Sequence, residues 1–152
     1  MSEMVLLNRD NMYEYFRQTK EFIFLDEVMV YPGEYAVGKK YISEEEWYFK
    51  YHFPNNPMMP GVFQMEAMMQ TGGLIVNTLP GKKEASILFD SAKNIRILSM
   101  VRPNNIITTN VRLISYKRGI MKLEGQVELK DKIISKMDFS LILPNELPKI
   151  SL

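Results

Sequence analysis

GVFQMEAMMQTGGLIVNT, residues 61–78, is the stretch whose reading decides the fold. It is the one long helical candidate in the chain, entered after Pro60 and stopped by Pro80-Gly81. At 1.5 Å rise per residue such a helix is about 27 Å long. Apolar residues fall on nearly every side: Val62, Phe63, Met65, Met68, Met69, Leu74, Ile75 and Val76. A helix of that kind is expected to be buried all round. Gln64, Glu66, Gln70 and Asn77 interrupt it, so it does not read as a membrane span. Gly72 and Gly73 in its middle cost about 1 kcal/mol each relative to Ala. That cost predicts close backbone approach, with the same helix of a second subunit as the candidate neighbour.

Strands are expected on both sides of the helix. Ile120–Leu129 alternates, with Lys122, Glu124, Gln126 and Glu128 on one face and Met121, Leu123, Val127 and Leu129 on the other. Residues 106–116 and 133–143 flank it, with hairpin turns expected at Lys117-Arg118-Gly119 and Lys130-Asp131. Residues 86–89 and 94–100 add one or two strands. Upstream, residues 22–30 and 35–42 read as strands around a Tyr31-Pro32-Gly33 turn, and residues 8–17 as a short helix capped by Asn8 or Asp10. Pro54, Pro57 and Pro60 forbid a helix just before residue 61 and stiffen an extended segment. The sum is an α+β chain: five to seven antiparallel strands wrapped round one helix, in a single domain spanning residues 1–152.

Composition narrows the function. Apolar residues make up 46 % and charged residues 24 %, ordinary globular values that exclude disorder. Lys and Arg number 19 against 18 Asp and Glu, without the basic excess of a nucleic-acid binder. There is no Cys, which excludes a disulfide framework, a thiolate zinc site and a cysteine nucleophile. The single His excludes a multi-histidine metal centre. The start, MSEMVLL, lacks a basic region and a long apolar core; no signal peptide and a cytoplasmic location are expected.

The charges are unevenly spread. Residues 51–81 contain one charged side chain, Glu66, where the overall 24 % would place about seven. The sole histidine, His52, lies in the same window. A buried carboxylate must find a partner or shift its pKa, and His with Glu is a natural acid/base pair. The alternative is structural: His52 capping a loop and Glu66 bonding a backbone amide. Gly61 at the start of the helix offers a free N–H where the helix dipole favours negative charge, suited to a developing oxyanion, although a simple turn glycine fits too. Glu66 and Gln70, spaced i, i+4, share one helix face. Met58, Met59, Met65, Met68 and Met69 cluster here, either as core filler or as a soft wall for an alkyl chain.

The run from His52 to Gln70, HFPNNPMMPGVFQMEAMMQ, resembles the signature of the FabZ-type 3-hydroxyacyl-[acyl-carrier-protein] dehydratases, roughly H-F-P-x-x-P-x-M-P-G-V-x-x-x-E-A-x-x-Q. The resemblance extends in weaker form over about residues 20–143. It implies a hot-dog fold, a curved sheet round a central helix. It implies a hydro-lyase without metal or redox cofactor, built as a homodimer that can assemble into a trimer of dimers, with each site shared between subunits. His52 would remove the α-proton of a 3-hydroxyacyl thioester on acyl-carrier protein, and the partner subunit's Glu66 would help expel the 3-hydroxyl as water. The Gly61 N–H would hold the thioester carbonyl. Val62, Tyr51, Phe53, Met59 and Gln70 are expected to bind substrate around these three.

The chain departs from the pattern at three places. Tyr51 stands where the family has Gly before its histidine, Asn56 where it has a second His, and Pro103-Asn104-Asn105 where it has Pro-Gly-Asp. None removes a catalytic group; Tyr51 would narrow the entrance or alter substrate choice, and the expected setting is fatty-acid or related polyketide or aryl-polyene chain synthesis. Two alternatives remain: a non-catalytic hot-dog subunit that binds acyl-carrier protein, and a hot-dog enoyl isomerase or thioesterase. Lys82, Lys83, Lys93, Arg96 and Arg102, against only Glu84 and Asp90, make residues 82–102 the candidate surface for an acidic carrier protein, or else a solvated loop.

Overall fold

The computed structural model describes residues 3–149. Residues 1–2 and 150–152, which the single-domain and leader readings also take in, lie outside the described residues. In chain order the elements are β1 (Val5–Asn8), β2 (Glu27–Tyr31), β3 (Tyr35–Tyr41), α1 (Gly61–Asn77), β4 (Leu88–Ile97), β5 (Ile106–Lys117), β6 (Ile120–Leu129) and β7 (Lys132–Ile142). Among the described residues the seven strands form one antiparallel sheet in the order β1-β2-β3-β5-β6-β7-β4. Helix α1 packs on β2, β3, β5, β6 and β7, so the sheet curls round it, as the hot-dog expectation requires.

Local chemistry accounts for most boundaries. The β5–β6 turn places Arg118 at φ 53° and Gly119 at φ 79°, and the β6–β7 turn places Lys130 at 51° and Asp131 at 64°. Two consecutive left-handed residues are what tight two-residue hairpins need to match strand twist. Met121, Leu123, Gly125 and Val127 of β6 point into the core while Lys122 and Glu124 face solvent.

Four expectations need correction. Residues 8–17 are not a helix: β1 ends at Asn8, and a single 3₁₀ turn follows at Met12–Tyr15. The Asn8 side chain accepts the N–H groups of Asp10 and Asn11 at 2.9 and 3.2 Å, which diverts the backbone from helical bonding. The strand read over 22–30 shortens to β2, because the Phe24 N–H is bonded to the Gln70 side chain rather than a neighbouring strand. The stretches 86–89 and 94–100, read as one or two strands, join in one ten-residue strand, β4 (Leu88–Ile97), with register shifts that break its pattern. Finally, α1 is wholly buried only over its C-terminal half, from Gln70 to Asn77; Val62 is 63 % exposed, and Phe63, Met65, Glu66 and Met69 are half-buried.

The glycine pair also reads differently. A Cβ on Gly72 would stand 2.9 Å from Leu123 of β6 and 3.2 Å from Phe139 of β7, so the close approach is to the chain's own sheet. A Cβ on Gly73 would meet Ile87 at 3.8 Å, an ordinary contact. We therefore expect Gly72→Ala to destabilise by about 1–3 kcal/mol through overpacking. Gly73→Ala should be neutral or stabilising by up to about 1 kcal/mol through helix propensity. Denaturant melts of the two variants check this; equal effects would mean the helix can lift off the sheet.

Candidate active site

His52 lies on the loop between β3 and α1. Its backbone N–H donates to the Tyr48 carbonyl at 2.9 Å, following a 3₁₀ turn at Trp47–Lys50. Its Nδ1 lies 2.9 Å from the Met58 carbonyl. A carbonyl only accepts, so Nδ1 carries the proton and Nε2 presents a lone pair, the tautomer a general base needs. The Phe53 ring stacks on the imidazole at 4.0 Å. The loop closes on itself through reciprocal backbone bonds between Phe53 and Asn56, and the Asn56 side chain accepts from Arg102 at 2.7 Å.

Glu66 sits one and a half turns into α1. A cavity of about 440 Å³ runs beside it along the helix, floored by Glu66, Met69, Gly73 and Asn77 and faced by Phe16 and Ile87. The spacing 66, 69, 73, 77 is one helix face. The Gln70 amide donates to Glu66 at 3.2 Å. Burial raises the Glu66 pKa, and the Gln70 hydrogen bond offsets only part of that. Glu66 therefore keeps its proton to higher pH than an ordinary glutamate, which suits a proton donor.

Gly61 opens α1 after Pro60, and its N–H is among those a helix leaves without an internal partner. A side chain there would press on Ile97 of β4 at 3.2 Å. Gln70 has a scaffold role: its oxygen accepts from Phe24 N–H at 2.9 Å and its nitrogen donates to the Phe22 carbonyl at 2.8 Å. Met59 is a correction. It is fully buried in the core and pairs with Val101, so it fills rather than lines. Met58 and Met68 are likewise buried, and Met69 alone of the five methionines borders the cavity. Tyr51 and Val62 are exposed, 67 % and 63 %. The structure does not bring His52 into the cavity that holds Glu66.

The replaced turn is explained by geometry. Asn104 takes φ 70°, the left-handed conformation Gly would adopt, and Asn105 accepts the Arg102 N–H at 2.8 Å, as an Asp carboxylate would. The five basic residues differ in what they hold. Lys82 is paired with Glu146 at 2.8 Å and Lys83 with Glu14 at 2.7 Å, tying the two ends of the chain to the segment after α1. Arg102 is bonded to Asn56. Lys93 and Arg96 lie exposed on β4 without an ion pair among the described residues. Phe16 and Ile87, walls of the cavity, carry no mark in the sequence: both reach it through long-range packing.

Comparison with known proteins adds three findings. The family model for the FabA-like domain matches residues 17–138. The chain is 36 % identical to the 3-hydroxyacyl-[acyl-carrier-protein] dehydratase FabZ of Chloroflexus aggregans, covering 74 % of this chain and 78 % of that one. With the enzyme of the same name from Roseiflexus sp. it shares 32 % identity over 82 % and 88 %. Among solved structures, the dehydratase heterocomplex ApeI:P from Xenorhabdus doucetiae superposes with a TM-score of 0.72 at 13 % identity, covering 88 % of this chain and 91 % of that one. A conserved protein from Pseudomonas aeruginosa superposes at 0.68 and 17 % identity, covering 87 % and 98 %. The last two speak for the fold alone.

The raised Glu66 pKa has a stability consequence. A carboxyl with its folded pKa above the unfolded value contributes stability at low pH that is lost as pH rises through the folded pKa. We expect Glu66→Gln and the parent chain to melt alike at about pH 4. The parent should fall below the variant as pH is raised towards about pH 8. Parallel melting curves across that range would mean Glu66 is not desolvated.

Proposed function

The chain belongs to the FabA-like domain family, and on that premise we propose that it dehydrates a 3-hydroxyacyl thioester carried on acyl-carrier protein to the trans-2-enoyl thioester. The observation that carries this reading is the pair of complementary groups: a histidine with Nε2 free because Nδ1 is committed to Met58, and a carboxyl whose pKa is raised by burial. His52 takes the α-proton at Nε2. The electron pair moves into the thioester carbonyl, whose oxygen the Gly61 N–H stabilises. The enolate then collapses to the 2,3 double bond, the C3–O bond breaks, and Glu66 gives its proton to the departing hydroxyl, which leaves as water. Each site takes its histidine and glutamate from two subunits, a reading supported by the separation of His52 from the Glu66 cavity within one chain. The exposed apolar residues of edge strand β4, Leu88, Phe89, Ile95 and Ile97, support a homodimer. Lys93 and Arg96 on the same strand, and Arg102 beside Asn56, make no ion pair among the described residues and are available to an acidic carrier.

We expect His52→Ala to lose about 10²- to 10⁴-fold in turnover, the usual worth of a general base. Mixing it with Glu66→Gln subunits should restore part of the activity, since a hybrid dimer holds one intact pair. No recovery after verified subunit exchange would place both groups of a site in one chain.

The acyl chain is assigned to the groove over Glu66, Met69, Gly73 and Asn77. Gly73 lies about 10 Å along the axis from Glu66, the reach of about eight carbons beyond the reacting centre. Gly73→Leu should therefore leave short 3-hydroxyacyl substrates nearly unaffected and cut activity on long ones by at least tenfold. Equal loss at every length in an assay series would put the acyl chain elsewhere.

A further inference from the structure

Lys40 of β3 is 6 % exposed, yet it is a cation. Its Nζ lies 3.3 Å from Asp26 Oδ1 and 3.2 Å from Glu46 Oε1. A buried ammonium is retained only where its charge is matched, so the question is what each carboxylate holds. Asp26 stays with the sheet: its second oxygen accepts the Tyr41 N–H at 2.7 Å, its own N–H donates to the Lys39 carbonyl at 2.7 Å, and Arg9 stands 3.5 Å away.

Glu46 leads out of the sheet. It is the residue on which the Trp47–Lys50 turn begins, and its carbonyl accepts the Phe49 N–H at 3.1 Å. Its side chain also accepts from Ser43 N–H at 3.4 Å. Within that turn the Tyr48 carbonyl receives two N–H groups, those of Tyr51 at 3.1 Å and His52 at 2.9 Å. A short chain of contacts thus runs from β3 through Lys40, Glu46 and the turn to the backbone of His52. The Met58 carbonyl fixes the ring at the other end.

We propose that Lys40, balanced between Asp26 and Glu46, is a positioning residue for the reaction: it clamps the Trp47–Lys50 turn to β3 and thereby sets where His52 stands. The proposal rests on the functional reading above for its kinetic consequence and on geometry alone for its structural one. Lys40 touches no reacting atom. Without it, two partly buried carboxylates face each other, and their repulsion acts on the turn that carries the histidine. A displacement of the base by about 1 Å is enough to cost up to about a hundredfold in rate.

Because His52 is the only histidine, its Cε1–H proton resonance is assigned without ambiguity. The test compares Lys40→Met, Lys40→Arg and Glu46→Gln with the parent by three readouts: melting temperature, kcat and KM on a soluble 3-hydroxyacyl thioester, and the position and line width of the His52 resonance. Glu46→Gln removes the charge at the turn while keeping the shape of the side chain, so it serves even if Lys40→Met does not fold. The expected result is a folded Glu46→Gln chain with kcat lowered about ten- to a hundredfold, KM within about twofold, and a shifted or broadened His52 resonance. Lys40→Arg should restore all three. A folded Glu46→Gln chain with parental kcat and an unmoved resonance would overturn the clamp and leave the cluster a stability element. A parent chain inactive on every 3-hydroxyacyl thioester would overturn the functional reading instead, and the resonance would still decide the clamp.

Discussion

Contact between α1 and the sheet at Gly72 is the constraint on which the rest of the structure depends. There is no room for a Cβ between the helix and Leu123 or Phe139. Gly125 of β6 repeats the device from the other side, since a Cβ there would meet the Met68 sulfur at 2.9 Å. The two missing side chains let the C-terminal half of the helix sink into the sheet, and Leu74, Ile75 and Val76 are fully buried as a result. Complete burial of three such side chains is worth about 1.5–3 kcal/mol each before entropy is counted. With that half of the helix fixed against the sheet, the face carrying Glu66, Met69, Gly73 and Asn77 is left to floor the cavity.

The polar side chains of α1 divide their work according to that geometry. Thr71 bonds back to the Ala67 carbonyl, and Asn77 holds the Lys82 and Ala85 carbonyls beyond the helix end. Gln70 spends both ends of its amide on residues 22–24. Glu66 receives only one hydrogen bond, from Gln70. A group so poorly solvated and so lightly partnered is where a shifted pKa belongs, and it stands at the head of the cavity. Reactivity here follows from what the neighbours do not provide.

Much of this was legible in the residues. Pro60 and Pro80-Gly81 bracket α1, and the alternation of β6 with its two turns announces a meander. His52 and Glu66 were visible as the exceptions in an uncharged stretch. Other features were not legible. No local pattern tells that β4 leaves chain order to pair with β7, and a strand exposed on both faces has no alternation to read. Gly72 signalled close approach without saying to what, because a missing side chain does not name its neighbour. Met59 and Met69 look alike in sequence; one fills the core and one borders the cavity, a difference set by rotation about α1 and by the bridge to Val101.

The strand order bears on how the chain assembles. Helix α1 and strand β4 are synthesised before β5, β6 and β7, yet β4 finds its pairing partner only in β7, and α1 completes there the packing it begins on β2 and β3. The most apolar stretch of the protein is thus extruded before residues 106–142, the span of β5 to β7 that completes its cover. Its closing contacts are distant in sequence, the kind that make folding slow.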